Sequence, residues 1–114
     1  MTKVTFKKDI YKENRGGYSR FLEVLCHHCD NKILVYQKDG PGELKRMYLD
    51  RIVYPLDLAK LQTLPINKIS NLVCAKCKYI IAIPYVYQKE KRNAYRLFAG
   101  AVNKNILAKK EIKL

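Results

Sequence analysis

Several runs along the chain have the hydrophobic pattern of strands, and they are rich in β-branched and aromatic residues. Residues 18–25 (Tyr-Ser-Arg-Phe-Leu-Glu-Val-Leu) alternate loosely, and residues 32–38 (Lys-Ile-Leu-Val-Tyr-Gln-Lys) and 79–89 (Tyr-Ile-Ile-Ala-Ile-Pro-Tyr-Val-Tyr-Gln-Lys) are strand-like. A shorter piece, Asn71-Leu72-Val73, has the same character. Asp39-Gly40-Pro41-Gly42 closes one run as a turn, because glycine admits positive φ and proline fixes its own. It lacks the Lys-Ser/Thr ending of a phosphate loop. Leu44, Tyr48 and Ile52 share one face of either a strand or a helix, and the preceding turn favours a third antiparallel strand. Residues 56–61, fenced by Pro55 and Pro65, predict a short helix or turn. From Arg92 onward two readings compete. Ala94, Leu97, Phe98, Ala101 and Val102 keep helical spacing across an unfavourable Gly100, whereas residues 95–98 equally extend a sheet. The Lys-rich end from Asn105 is expected to fray. The predicted class is mostly β with short helical segments, a small α+β fold.

Four cysteines punctuate this pattern. Cys26-His27-His28-Cys29 and Cys74-Ala75-Lys76-Cys77 are two C-x-x-C pairs with 44 residues between them, and each lies between two strand-like runs. Each pair makes a tight turn aiming two sulfurs at one ion, and two such turns complete a tetrahedron for Zn²⁺. The gap exceeds the usual ~15–20 residues, but loop-closure entropy rises only logarithmically with length. Residues 1–12 lack the apolar core of a secretory signal, so the expected compartment is the reducing cytoplasm, where disulfides are disfavoured. A redox pair would leave the second C-x-x-C idle. The favoured reading is one structural zinc site held by Cys26, Cys29, Cys74 and Cys77, with no position for an activated water. His27 and His28 are read as a polar knuckle surface. Both runs that follow the knuckles end in Val-Tyr-Gln-Lys, at residues 35–38 and 86–89, which predicts two similar hairpin halves around the metal.

Through these four cysteines and their flanking strands, residues 18–89 resemble the broad zinc-ribbon class, a resemblance that implies antiparallel hairpins around one four-cysteine zinc site.

Charge then narrows the partner. The 114 residues hold 23 Lys and Arg against 10 Asp and Glu, a formal net charge of +13, more than the roughly 2–8 that suffices for solubility. Ten of the thirteen surplus charges lie in the first twenty residues or from Lys89 onward. This predicts a single domain over 1–114 with basic arms at 1–17 and 104–114, each able to follow a phosphate backbone. Lys7, Lys8, Arg46, Arg51, Lys76, Lys78, Lys89, Lys91, Arg92 and Arg96 are the candidate nucleic-acid contacts. Tyr36, Tyr48, Tyr79, Tyr85, Tyr87 and Tyr95 are candidates for stacking on bases, against the plainer role of core side chains. No apolar run reaches the ~18 residues of a membrane span. The carboxylates form no acid/base pair, and Asp50 with Glu43 or Asp57 is too little for a metal-dependent nuclease, so no enzyme is expected. The expected function is nucleic-acid binding, RNA or DNA, mainly through phosphates. The alternative is a zinc-ribbon interaction module docking on an acidic protein in a transcription or translation assembly.

Overall fold

A computed structural model of the chain describes residues 6–107. It is mostly β: eight strands in two four-stranded antiparallel sheets, with two short helices. In chain order these are α1 (Ile10–Asn14), β1 (Ser19–Cys26), β2 (Lys32–Asp39), β3 (Arg46–Tyr48), β4 (Ile52–Tyr54), α2 (Leu56–Ala59), β5 (Leu72–Val73), β6 (Ile80–Tyr87), β7 (Arg92–Leu97) and β8 (Val102–Leu107). The first sheet has the order β4-β2-β1-β8 and the second β3-β7-β6-β5.

Alternation explains the sandwich. Leu22, Val24 and Cys26 of β1 and Leu34 and Tyr36 of β2 point to one side and are buried, with Leu22 opposite Tyr36 and Val24 opposite Leu34. They join Met47, Leu72, Ile81, Ala82 and Tyr95 of the second sheet in one core. A hydrogen bond pins the sheets together: the Tyr48 amide donates to the buried Tyr36 hydroxyl at 2.8 Å. On the far side of the first sheet, Phe21 is buried beneath Phe6, their ring centroids 4.4 Å apart. Gln37, on the same side, clips the backbone of Lys7 from both directions, at 2.8 and 3.0 Å. Asp9 caps α1, accepting from the amides of Tyr11 and Lys12.

Several expectations change here. The third strand expected over residues 44–52 is broken into β3 and β4 by a 3₁₀ turn, Leu49–Arg51, so that its two ends join different sheets. The competing readings after Arg92 resolve as strands, β7 and β8, because cross-strand pairing satisfies the backbone on both sides of Gly100, which sits at φ +70°. Residues 104–107, expected as the start of a basic arm, pair with β1, so Asn105 lies within a strand. The described part of the N-terminal arm is likewise built in: Phe6 and Lys7 pack on the first sheet, and Lys12 is buried with its ammonium on the Gly17 carbonyl. The remainders of both arms, 1–5 and 108–114, lie outside the described residues. The short helix between the prolines is α2, continued by a 3₁₀ turn at Lys60–Thr63.

Candidate metal centre and cationic groove

Both knuckles are hairpin turns, one joining β1 to β2 and the other β5 to β6. They are built alike, hydrogen bond for hydrogen bond. Asp30 N–H donates to Cys26 O at 2.8 Å and Lys78 N–H to Cys74 O at 2.9 Å. Cys26 N–H donates to Asn31 O and Cys74 N–H to Tyr79 O, again at 2.8 and 2.9 Å. Asp30 and Lys78, each four residues after the first cysteine of its turn, take left-handed φ of +62° and +66°. The expected pair of similar halves is therefore present in the backbone of the turns.

The halves meet sulfur to sulfur. Cys26 Sγ lies 3.7 Å from Cys77 Sγ, Cys29 Sγ lies 3.5 Å from Cys74 Sγ, and all four sulfurs fall within 4.8 Å of one another. A tetrahedron with metal–sulfur bonds of ~2.3 Å has edges of about 3.8 Å, so the spacing suits one four-coordinate ion. The four thiols are free. Amide hydrogen bonds from Cys77 and Lys76 draw Cys74 down to about 6, favouring the thiolate a metal requires. At Cys77 the Tyr79 amide acts the same way, but desolvation and the three neighbouring sulfurs prevail and push the thiol up to about 12. Four sulfurs this close cannot all be anions without a cation among them. The four cysteines could thus coordinate one metal ion. His27 and His28 are exposed, His27 bonded to Asn103 at 3.0 Å and His28 stacked on Tyr79, so neither joins the sulfur cluster.

The basic candidates divide into two groups. Arg51 and Arg92 are buried, with 2% and 6% of their surface exposed, and both are spoken for. Arg51 bonds Asp9 at 2.6 Å and Asp39 at 2.8 Å; Arg92 bonds Asp50 at 2.7 Å and lies against the rings of Tyr11 and Tyr48 at 4.0 and 3.7 Å. Neither is free to contact phosphate, which corrects both assignments: a guanidinium stays charged when buried and so must be paired there, and these two have carboxylates to pair with. Arg15 completes the network through Glu90 at 2.7 Å. Burial alone would raise the Asp39 carboxyl, but hydrogen bonds from Ser19, Arg51 and Gln37 outweigh it and hold the group below its ordinary range. Sequence reading missed this network. Its shortest pairs, Arg51 with Asp39 and Asp9, Arg92 with Asp50 and Arg15 with Glu90, join residues 12 to 75 positions apart, and no local pattern marks them.

Arg46 and Arg96 belong to the second group. They sit directly opposite one another on β3 and β7. Arg46 is aimed by its surroundings: its Nε donates to the Tyr85 hydroxyl at 3.0 Å and its guanidinium lies over the Tyr87 ring at 4.1 Å. With Lys45 and Lys104 the two arginines line an open groove of about 500 Å³ in which Glu43 is the only carboxylate among the described residues. Lys76, Lys78, Lys89 and Lys91 are exposed on turns, Lys76 and Lys78 at the second knuckle and Lys89 and Lys91 between β6 and β7. Lys8 is exposed; Lys7 is exposed too, but its ammonium bonds Asp50 O and Gln62. Of the tyrosines named as stackers, Tyr36, Tyr48 and Tyr95 are buried, which leaves them as core, while Tyr85 and Tyr87 are half-buried and Tyr79 is exposed.

Comparison of the chain with protein-family models, curated proteins and solved structures finds no match. None of the described helices is long and apolar enough to cross a membrane.

Proposed function

We propose that this chain is a small zinc-ribbon protein that binds nucleic acid through its phosphates, as a cytoplasmic binding scaffold and not as an enzyme. The observation that carries the reading is the Arg46–Arg96 pair. Like charges directly opposite on neighbouring strands destabilise a sheet. Here they stand together in an open groove with two lysines, where an anionic ligand relieves the repulsion. A phosphate backbone supplies such anions in series, and each contact releases a counterion. The buried network strengthens the case. It consumes four of the ten carboxylates with only three arginines, which leaves twenty Lys and Arg of the sequence against six acidic residues.

Zinc is the metal that four thiolates at tetrahedral spacing favour, and when bound it supplies a structural staple. Cys26 and Cys29 hold it from the first sheet, Cys74 and Cys77 from the second. The four close its shell and leave no coordination position for substrate. Free thiols suit a reducing compartment.

Purification under reducing conditions, followed by metal analysis and the 260/280 nm absorbance ratio, tests both parts at once. One zinc per chain and co-purifying nucleic acid that dissociates in high salt are expected. A metal-free, folded chain with no affinity for oligonucleotides would overturn the proposal.

A further inference from the structure

A second groove, of about 570 Å³, opens beside the metal-ligating turns. That volume lies within the ~300–1,000 Å³ typical of ligand-binding clefts. His27 and His28 of the first knuckle form one wall, Lys78, Tyr79 and Ile80 after the second knuckle form another, and residues 98–101 between β7 and β8 form the third. Three apolar side chains are left facing solvent: Tyr79 is 52% exposed, Phe98 48% and Ile80 45%. Aromatic side chains that exposed, and gathered in one place, mark a surface built to be covered. The walls are held in register. His28 stacks on Tyr79 at 5.2 Å and 21°, and the His27 amide donates to Ala101 O at 2.9 Å.

The charge around this groove indicates what covers it. Among the described residues, Lys78 is its one fixed charge and no carboxylate lines it. Residues 98–101 are shared with the cationic groove of Arg46, Arg96, Lys45 and Lys104, so the aromatic site and the phosphate site are two sides of one loop. Flat apolar rings next to a row of cations complement a ligand that carries flat rings on an anionic backbone. Duplex bases are already stacked and paired, and cannot enter. An unpaired base can.

We propose that this groove takes an unpaired base of a single-stranded nucleic acid, stacked on Tyr79 and Phe98, while the flanking phosphates cross the loop to Arg96, Arg46 and Lys104. The inference rests on the nucleic-acid reading above and specifies its ligand as single-stranded. Stacking is blind to the sugar, so RNA and DNA strands both qualify.

Fluorescence anisotropy on the zinc-loaded full chain, with 12-mers of oligouridylate and oligothymidylate and a mixed-sequence duplex of the same length, separates the possibilities. Either single strand is expected to bind more tightly than the duplex. Tyr79→Ala and Phe98→Ala are each expected to weaken single-strand binding about 5- to 150-fold, leaving duplex binding and the salt slope unchanged. Tyr79→Phe should retain the affinity. If the alanine variants fail to fold, Phe98→Leu keeps an apolar side chain without the ring and must still lose affinity. Equal binding of duplex and single strands, or wild-type affinity in folded Phe98→Leu and Tyr79→Leu, would overturn the stacking site while leaving phosphate binding intact. No binding of any oligonucleotide would overturn both, and leave the groove to an apolar segment of a protein partner.

Discussion

At the scale of single residues, similar side chains have opposite fates according to their neighbours. Arg51 and Arg46 are five positions apart, and nothing in the residues between them tells their fates apart. The 3₁₀ turn sends Arg51 inward to Asp39 and Asp9, and β3 sends Arg46 out to the groove. Replacing Arg51 with Met should cost about 3–5 kcal/mol in urea unfolding, since it strands Asp39 as an uncompensated buried charge. The pH dependence follows from the Asp39 carboxyl, held below its ordinary value of 3.8 in the folded chain. A depressed folded pKa contributes stability that is present above the unfolded value and is lost as pH falls through the folded one. Acid should therefore destabilise the wild-type chain below about pH 4, and Asp39→Asn should flatten that limb; the measurement is unfolding free energy against pH between 2 and 6. The cysteines were legible because their geometry is written in adjacent letters. The network was not, because Arg51 pairs with residues 12 and 42 positions away.

At the scale of elements, the two hairpins could be read from alternation and from the repeated knuckles. The division of residues 44–54 between two sheets could not. Leu44, Tyr48 and Ile52 satisfy both a strand and a helix, and only the packing of Tyr48 against Tyr36 and of Ile52 in the core decides the break. The N-terminal segment also escaped. It reads as a charged arm, yet Phe6 and Asp9 fix it to the first sheet, and Gly40 makes room for it. A Cβ on Gly40 would meet the Arg15 Cβ at 2.8 Å and its carbonyl at 2.9 Å, at a φ of +75°. Gly42, at φ +103°, has nothing within 4 Å. Gly40→Ala is expected to cost about 2 kcal/mol or more, combining strain with overlap, and Gly42→Ala only the strain, about 1 kcal/mol. Equal melting temperatures for the two variants would contradict the packing described for the arm.

At the scale of the whole molecule, the sulfur cluster lies where the sheets meet, and Cys26 and Cys74 are counted within the core itself. If the proposed zinc is bound there, metal binding and folding should be one transition. Removing the ion with a strong chelator should lower the melting temperature by about 20 °C or abolish the cooperative transition, and restored zinc should recover it, as followed by circular dichroism. The net charge, legible as a total, acquires meaning only through the fold, which buries arginines with carboxylates and leaves Arg46 and Arg96 facing each other. The most direct test of that claim is the salt dependence of oligonucleotide affinity, compared between the wild-type chain and the double variant Arg46→Gln, Arg96→Gln. For a single strand each phosphate contact contributes about −0.7 to the slope of log affinity against log salt. The double variant should flatten the slope by about 1.4 and weaken binding at low salt, with zinc content unchanged. An identical slope in the two proteins would contradict the assignment of the groove to phosphate.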